Sequence, residues 1–427
     1  MRRNPENTAW VVLIGAFCIF CALALLVPLG LRWWIQNAAE TEQILMASNG
    51  TVLVTRPGRT TAEVNLTDIP VGSAIEIDDA NSQATLTFND PNSRVAVASV
   101  KIYGNTRVNL TRADSPRYAA SQVGHTIELQ VDYGRLRATS IVSDADHRVT
   151  IELVSPPNAV TVMNDPQSEV ALVVGSQTSL TVRQGRATIR QSDGPQGSPG
   201  ELELGQDQRA EVASSGLRGP LSPERRLIAN GDFLQPLDQI ATTNNWVVAQ
   251  PQQNDDIPGT VTVEDEGDRK VVHFYRQGID LLWGQVGITQ NINQDVRDFT
   301  TLRLQLDVLV SHQDLFNCGE FGTECPVMVQ IAFQDTAGHQ KKWLQGFYYN
   351  YSDRPGTGMT KCPSCDAVRS DHQRVAQDQW VSIETDNLVD LLRGAGTPPA
   401  QVQSISIYAS GHAFDSEITN VQLLGSE

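Results

Sequence analysis

Residues 9–31, AWVVLIGAFCIFCALALLVPLGL, hold no charged side chain. As a helix, those 23 residues reach about 34 Å, enough to cross a hydrocarbon layer of about 30 Å. Backbone groups in lipid must be satisfied within the segment, so a single span has to be helical. Trp10, Trp33 and Trp34 flank the run, where indole rings favour the membrane interface. Pro28 lies near its far end, where a kink costs little. Arg2 and Arg3 precede the span and Arg32 alone closely follows it. The positive-inside rule then places residues 1–8 in the cytoplasm and the bulk of the chain outside, periplasmic or cell-surface. A cleaved signal peptide is the rival reading, but its apolar core would be shorter, about 7–15 residues. Trp33-Trp34-Ile35 is also a poor cleavage context, and Cys21 after Ile19-Phe20 lacks the small residues a lipoprotein needs.

The formal charge of the 427-residue chain is −17. A generic nucleic-acid partner is thereby disfavoured, because phosphates need a basic face. Residues 42–212 read as strand after strand: TVLVTR, SAIEID, ATLTF, IELQVDYGRLRAT, RVTIELV and SLTVRQGRATIRQ alternate apolar and polar positions. Asn49-Gly50, Pro57-Gly58 and Gln184-Gly185 mark turns. Strand text spaced at about ten residues predicts an all-β sandwich, roll or barrel. Residues 191–200, QSDGPQGSPG, read as a long hairpin loop, and 213–223, ASSGLRGPLSP, as an interdomain linker. A second domain is expected over 224–427, β-rich, with longer strands and a helical turn or two at Asn387–Leu392. It holds 27 Asp+Glu against 14 Lys+Arg, or −13, so anionic polymers are disfavoured partners.

The first domain resembles the FecR-type domain of bacterial membrane-anchored regulators. The resemblance rests on the order of Gly50-Thr-Val-Leu-Val, Val71-Gly-Ser-Ala-Ile-Glu-Ile, Ala84-Thr-Leu-Thr-Phe-Asn-Asp-Pro, Ile127-Glu-Leu-Gln-Val-Asp-Tyr-Gly, Val154-Ser-Pro-Pro-Asn-Ala and Leu202-Glu-Leu-Gly-Gln. The family's Arg-Gly-Thr block near 163–169 is replaced by Met-Asn-Asp-Pro-Gln-Ser-Glu. The eight residues before the span cannot hold the family's anti-sigma region. The second domain resembles jelly-roll modules of the carbohydrate-binding or galactose-binding type, through Leu227-Ile-Ala-Asn-Gly-Asp-Phe with Trp246, Leu302-Arg-Leu-Gln-Leu, Ser404-Ile-Ser-Ile-Tyr and Ile418-Thr-Asn-Val-Gln-Leu. That resemblance implies a structural Ca²⁺ position at Asn230, Asp232 and Asn420; the acidic residue often found after the opening Phe is Leu234 here.

Local chemistry concentrates in the second domain. Cys318, Cys325, Cys362 and Cys365 form C-x6-C and C-x2-C pairs. Outside a membrane they read first as two disulfides, with three connectivities open, the local one stapling two long loops. A four-thiolate zinc site is the rival. Cys18 and Cys21 lie in the span and act as small hydrophobes. Trp283, Tyr349 and Tyr351 are the candidate ligand-stacking rings, while Trp246 and Trp380 are expected in the core. Asp255-Asp256 and the run Glu264-Asp265-Glu266-Gly267-Asp268 read as solvated loop charges rather than a glycosidase pair. No H-E-x-x-H, G-x-S-x-G or phosphate loop occurs, so no enzyme activity and no catalytic residue are expected.

The expectation is a single-pass membrane protein with two extracytoplasmic all-β domains: a FecR-like roll or sandwich, then a jelly-roll β-sandwich. The second would bind a glycan or an envelope protein, and the first would serve as spacer or docking platform. The alternative is an envelope signalling component, a FecR-like relay to a separate cytoplasmic or transport partner.

Overall fold

The computed structural model describes residues 5–59, 61–141, 148–192, 200–238, 245–249, 251–253, 257–278, 282–369 and 371–427. The chain divides into two compact units, Met1–Pro223 and Glu224–Glu427. Apart from the N-terminal helix and a short helix in the second unit, the described secondary structure is β.

The N-terminal helix spans Pro5–Gln36. Its stretch Leu13–Gln36 is long and apolar enough to cross a membrane, and lies near the N-terminus, as a signal sequence also would. The helix end is built into the first unit. Ser121 Oγ donates to the Ile35 and Ala38 carbonyls at 3.0 and 3.1 Å. Gln122 N–H caps the Gln36 carbonyl at 2.8 Å, and the Trp34 and Tyr118 rings meet at 5.9 Å. The last carbonyls of a helix have no partner within it, so this loop supplies one.

The rest of the first unit is two sheets sharing one long strand, His125–Ser140. Its first half pairs with Thr106–Pro116 and, in parallel, with Val149–Ser155. Its second half pairs with Ala96–Ile102 and Glu169–Val174 in the other sheet. The strand turns the corner at Gly134, which has φ +100°, and a Cβ there would lie 2.3 Å from Thr106 Oγ1. Only glycine fits both demands. Between the sheets, Phe88, Leu86, Ile127, Leu129, Leu172 and Leu180 are fully buried. Strand Val149–Ser155 shows why: every second residue points inward.

The segment 213–223 is not a linker. Gly216–Leu221 is a strand paired with Gln208–Ala213, and so belongs to the first unit. Hairpin text around 191–200 does flank paired strands, Ala187–Gln191 and Glu201–Leu204; residues 193–199 lie outside the described residues.

The second unit is a jelly-roll β-sandwich. One sheet runs Thr260–Glu266, Arg269–Arg276, Phe414–Ser426, Thr301–Gln313, Val381–Glu384. The facing sheet runs Val247–Val248, Gly284–Asp295, Pro399–Gly411, Val327–Asp335, Gln340–Tyr348, Val368–Arg369. Leu302, Leu304, Leu306, Val308 and Val310 alternate inward and pack with Trp246, Phe274, Phe333, Trp343 and Phe347. The short helix Leu388–Gly394 is N-capped by Asn387, whose side chain accepts from Val389 N–H.

Strand register gathers three sheet-to-sheet crossovers at one end of the sandwich. Arg276 and Gln313 both pair with Phe414 in one sheet. Gly284 pairs with Gly411 in the other. The described parts of these connections, 277–278 with 282–283, 314–326 and 412–413, therefore emerge side by side.

Candidate functional site

Those three crossovers enclose a cleft of about 700 Å³. Trp283 enters it from the first, Asp314, Phe316, Glu320, Phe321 and Glu324 from the second, and His412 from the third. Trp283 Nε1 donates to Ser410 Oγ at 2.9 Å, which fixes the indole at the wall. Phe316 and Phe321 are 45% and 57% exposed, a heavy apolar load to leave in water without use. A neighbouring depression of about 410 Å³ shares Phe316 and Thr357 with the cleft and adds Tyr351, Asp353 and Arg354. The Arg374 guanidinium lies 5.3 Å from the Tyr351 ring centre.

The wall 319–324 is a closed ring. Cys318 and Cys325 are disulfide-bonded, and so are Cys362 and Cys365. The local connectivity is thus the one formed. Both bridges join a buried cluster with Met328, Leu344 and Tyr348. The ring is stitched to the loop carrying the second bridge. Met359 N–H donates to Gly319 O at 2.9 Å, and Cys318 N–H to Met359 O at 3.2 Å. Gly322 packs so closely that a Cβ would sit 1.9 Å from the Lys361 carbonyl oxygen, at φ +69°. His372 completes the joint: Nδ1 accepts from Gly346 N–H at 2.9 Å, and Nε2 lies 2.8 Å from the Gly322 carbonyl. Burial holds its pKa below the ordinary value. His372 groups with Cys318 and Cys325 at metal-ligand distances. Yet the two sulfurs are bonded to each other and both ring nitrogens face backbone partners. A zinc site would require opening that bridge.

The cleft is electrostatically one-sided. Asp314 Oδ2 lies 3.4 Å from His412 Nδ1, and Asp314 Oδ1 accepts from Ala413 N–H at 3.2 Å. Burial, reinforced by Asp314 and Glu320 against the opposing effect of His412, raises the pKa of Glu324.

Of the residues singled out in the sequence, the structure brings Trp283 and Tyr351 to adjoining depressions. Tyr349 is elsewhere: it packs on the sandwich core, and its hydroxyl accepts from Gln313 N–H at 3.3 Å. Trp246 is fully buried. Trp380 is instead half-buried, under the Arg269 guanidinium at 4.0 Å and donating to Glu266 at 3.1 Å. The acidic run forms a hairpin end in which Asp265 pairs with Lys270 and Glu266 with Arg269; Asp255 and Asp256 lie outside the described residues. At the implied calcium position, the 231 and 421 backbones do meet, Val421 N–H donating to Gly231 O at 2.9 Å. The side chains are otherwise engaged. Asn230 Oδ1 accepts from Gln235 N–H at 2.9 Å, Asp232 Oδ1 from Leu234 N–H at 3.5 Å, and Asn420 Nδ2 donates to Asp307 at 2.6 Å.

Phe316, Phe321, Glu320 and Glu324 were not singled out in the sequence. The signal was there: two exposed-type phenylalanines inside and beside a C-x6-C ring, where a core residue has nothing to pack on.

No family model matches the chain, and no curated protein matches it. Among solved structures, the chain is similar to the family 11 carbohydrate-binding module of the cellulosomal cellulase Lic26A-Cel5E of Clostridium thermocellum, at 14% identity and TM-score 0.25, over 47% of this chain and 93% of that one. It is also similar to a family 30 carbohydrate-binding module, at 10% identity and TM-score 0.27, over 48% of this chain and 99% of that one. A third is a family 61 module in complex with β-1,4-galactotriose, at 11% identity and TM-score 0.23, over 47% of this chain and 97% of that one.

Proposed function

We propose that this is a membrane-anchored extracytoplasmic protein that binds a glycan in the cleft at the crossover end of its second unit. The observation that carries the reading is the cleft itself. Trp283, Phe316 and Phe321 line it together with Asp314, Glu320, Glu324 and His412. Flat apolar rings stack on the C–H faces of sugars, and carboxylates accept from their hydroxyls. The two disulfides favour an oxidising compartment. The apolar helix supports anchoring by its N-terminus, with the first unit as spacer.

The test is a polysaccharide and oligosaccharide panel on the full chain in detergent. Saturable binding that Trp283→Ala removes supports the reading. Silence across the panel sinks it and points to an envelope protein, to be sought by cross-linking in intact membranes. A second reading, a FecR-like relay, is favoured by the direct bonding of Ser121 and Gln122 to the helix end. That joint would pass a displacement of the first unit into the span. Failure of any cytoplasmic or transport protein to copurify with the full chain would remove it.

A further inference from the structure

We propose that the cleft selects glycans bearing protonated amines, of the glucosamine-polymer class, over neutral or N-acetylated ones. This rests on the glycan reading and adds the charge of the sugar.

Three carboxylates, Asp314, Glu320 and Glu324, share the cleft. Asp314 has His412 beside it. The Glu320 and Glu324 carboxylates take no hydrogen bond and no ion pair among the described residues, and the one basic group acting on Glu324 is the same His412. No lysine or arginine is among the described residues lining the cleft. Elsewhere on the surface some carboxylates do take basic partners, as Glu63 does with Arg56 and Arg59, and Glu384 with Arg303. Glu324 is also half withdrawn from water, with Gly319 lying against its carboxylate. A half-buried carboxylate with carboxylate neighbours is raised in energy, and an incoming cation lowers it.

The aromatic walls point the same way. A ring face attracts an ammonium as well as a sugar C–H face. Trp283, Phe316 and Phe321 can therefore serve both halves of an amino sugar, with the ring stacked and the ammonium turned toward Glu320 and Glu324. A neutral sugar uses the stacking alone. A lysine side chain uses the charge alone and has no flat ring to lay against the walls.

The experiment is calorimetry on the full chain in detergent at about pH 6, below the ordinary range of an aliphatic amine. The probes are a glucosamine tetramer, its N-acetylated counterpart and tetralysine. The expected result is at least about tenfold tighter binding of the glucosamine tetramer than of the acetylated one. Glu324→Gln, which keeps the shape of the wall, should remove most of that preference. Glu320→Gln, at an exposed position, should reduce it without risk to folding. Equal affinity for the two tetramers overturns charge selection and leaves the glycan reading intact. Binding of a neutral polysaccharide but of neither tetramer does the same. Tetralysine binding as tightly as the glucosamine tetramer, with the same sensitivity to Glu324→Gln, overturns the assignment to a glycan. Silence of every probe and of the polysaccharide panel overturns both readings.

Discussion

The Arg276 guanidinium donates to the Leu282 carbonyl at 2.9 Å, one residue before Trp283. The side chain is 1% exposed and also donates to the carbonyls of Ile257 at 3.2 Å and of His412. One buried cation therefore holds two of the three crossovers that wall the cleft. A guanidinium can do this because its planar fork offers several donors at fixed angles.

Replacing Arg276 by Met would leave those carbonyls buried without their donor. A loss of about 3 kcal/mol or more of unfolding free energy is expected. Denaturant unfolding of the full chain, followed by circular dichroism, measures it. A change below about 1 kcal/mol would show that the crossovers hold themselves.

Trp283 and Tyr349 should separate binding from stability. Trp283→Ala is expected to weaken glycan binding about ten- to hundredfold, with the sandwich intact. Tyr349→Phe removes the hydroxyl that meets Gln313 and should cost about 1 kcal/mol of stability while leaving affinity unchanged. Calorimetry and thermal unfolding on both variants decide it; the reverse pattern would put the site near Tyr349.

The Cys318–Cys325 bridge closes a ring of seven-residue separation that carries Glu320, Phe321 and Glu324. Cys318→Ser combined with Cys325→Ser should lower stability by about 2–3 kcal/mol, the loop entropy such a ring withholds from the unfolded chain. Binding should fall further than stability, because the wall itself is released. Wild-type affinity in the double variant would mean that Met359 and His372 suffice to hold it.

His372 gives the fold a defined response to acid. Burial keeps its folded pKa below the ordinary 6.5, partly opposed by its bond to the Gly322 carbonyl. Below about 6.5 the unfolded chain takes up a proton that the folded imidazole refuses, so stability falls with pH until the folded pKa is reached. His273 acts in the opposite window. Although burial works against it, Glu264 and Asp415 raise its pKa, and its contribution is lost as pH rises above the ordinary value. His372→Gln should therefore flatten the acid side of a stability profile and leave the alkaline side unchanged. A profile unaltered below about 6.5 would remove His372 from the account.

Much of the fold was legible in the sequence because periodicity reports burial. The uncharged run became a helix, and alternating text became half-buried strands such as Val149–Ser155. The segment 213–223 misled because Gly and Pro read as breakers, yet Gly216–Leu221 is paired on the side facing Gln208–Ala213 and tolerates Pro220. The cleft was only partly legible. Trp283, and Tyr351 in the adjoining depression, stand in loops and could be found from their neighbours. Tyr349, two residues before Tyr351, turns inward because its hydroxyl meets Gln313, a partner 36 residues away. Glu320 and Glu324 come to share a cleft with Trp283 only through the crossover register, which no local pattern encodes.

Strand Phe414–Ser426 lies in the middle of its sheet, paired on one side with Arg269–Arg276 and on the other with Thr301–Gln313. In order of synthesis it comes after both. Until a ribosome has passed residue 426, those two earlier strands have a gap between them and expose unpaired backbone edges and the apolar inner face. This half of the molecule therefore closes as a last-piece assembly rather than growing outward from its first strands. The cleft between the crossovers is therefore among the last features of this unit to be made.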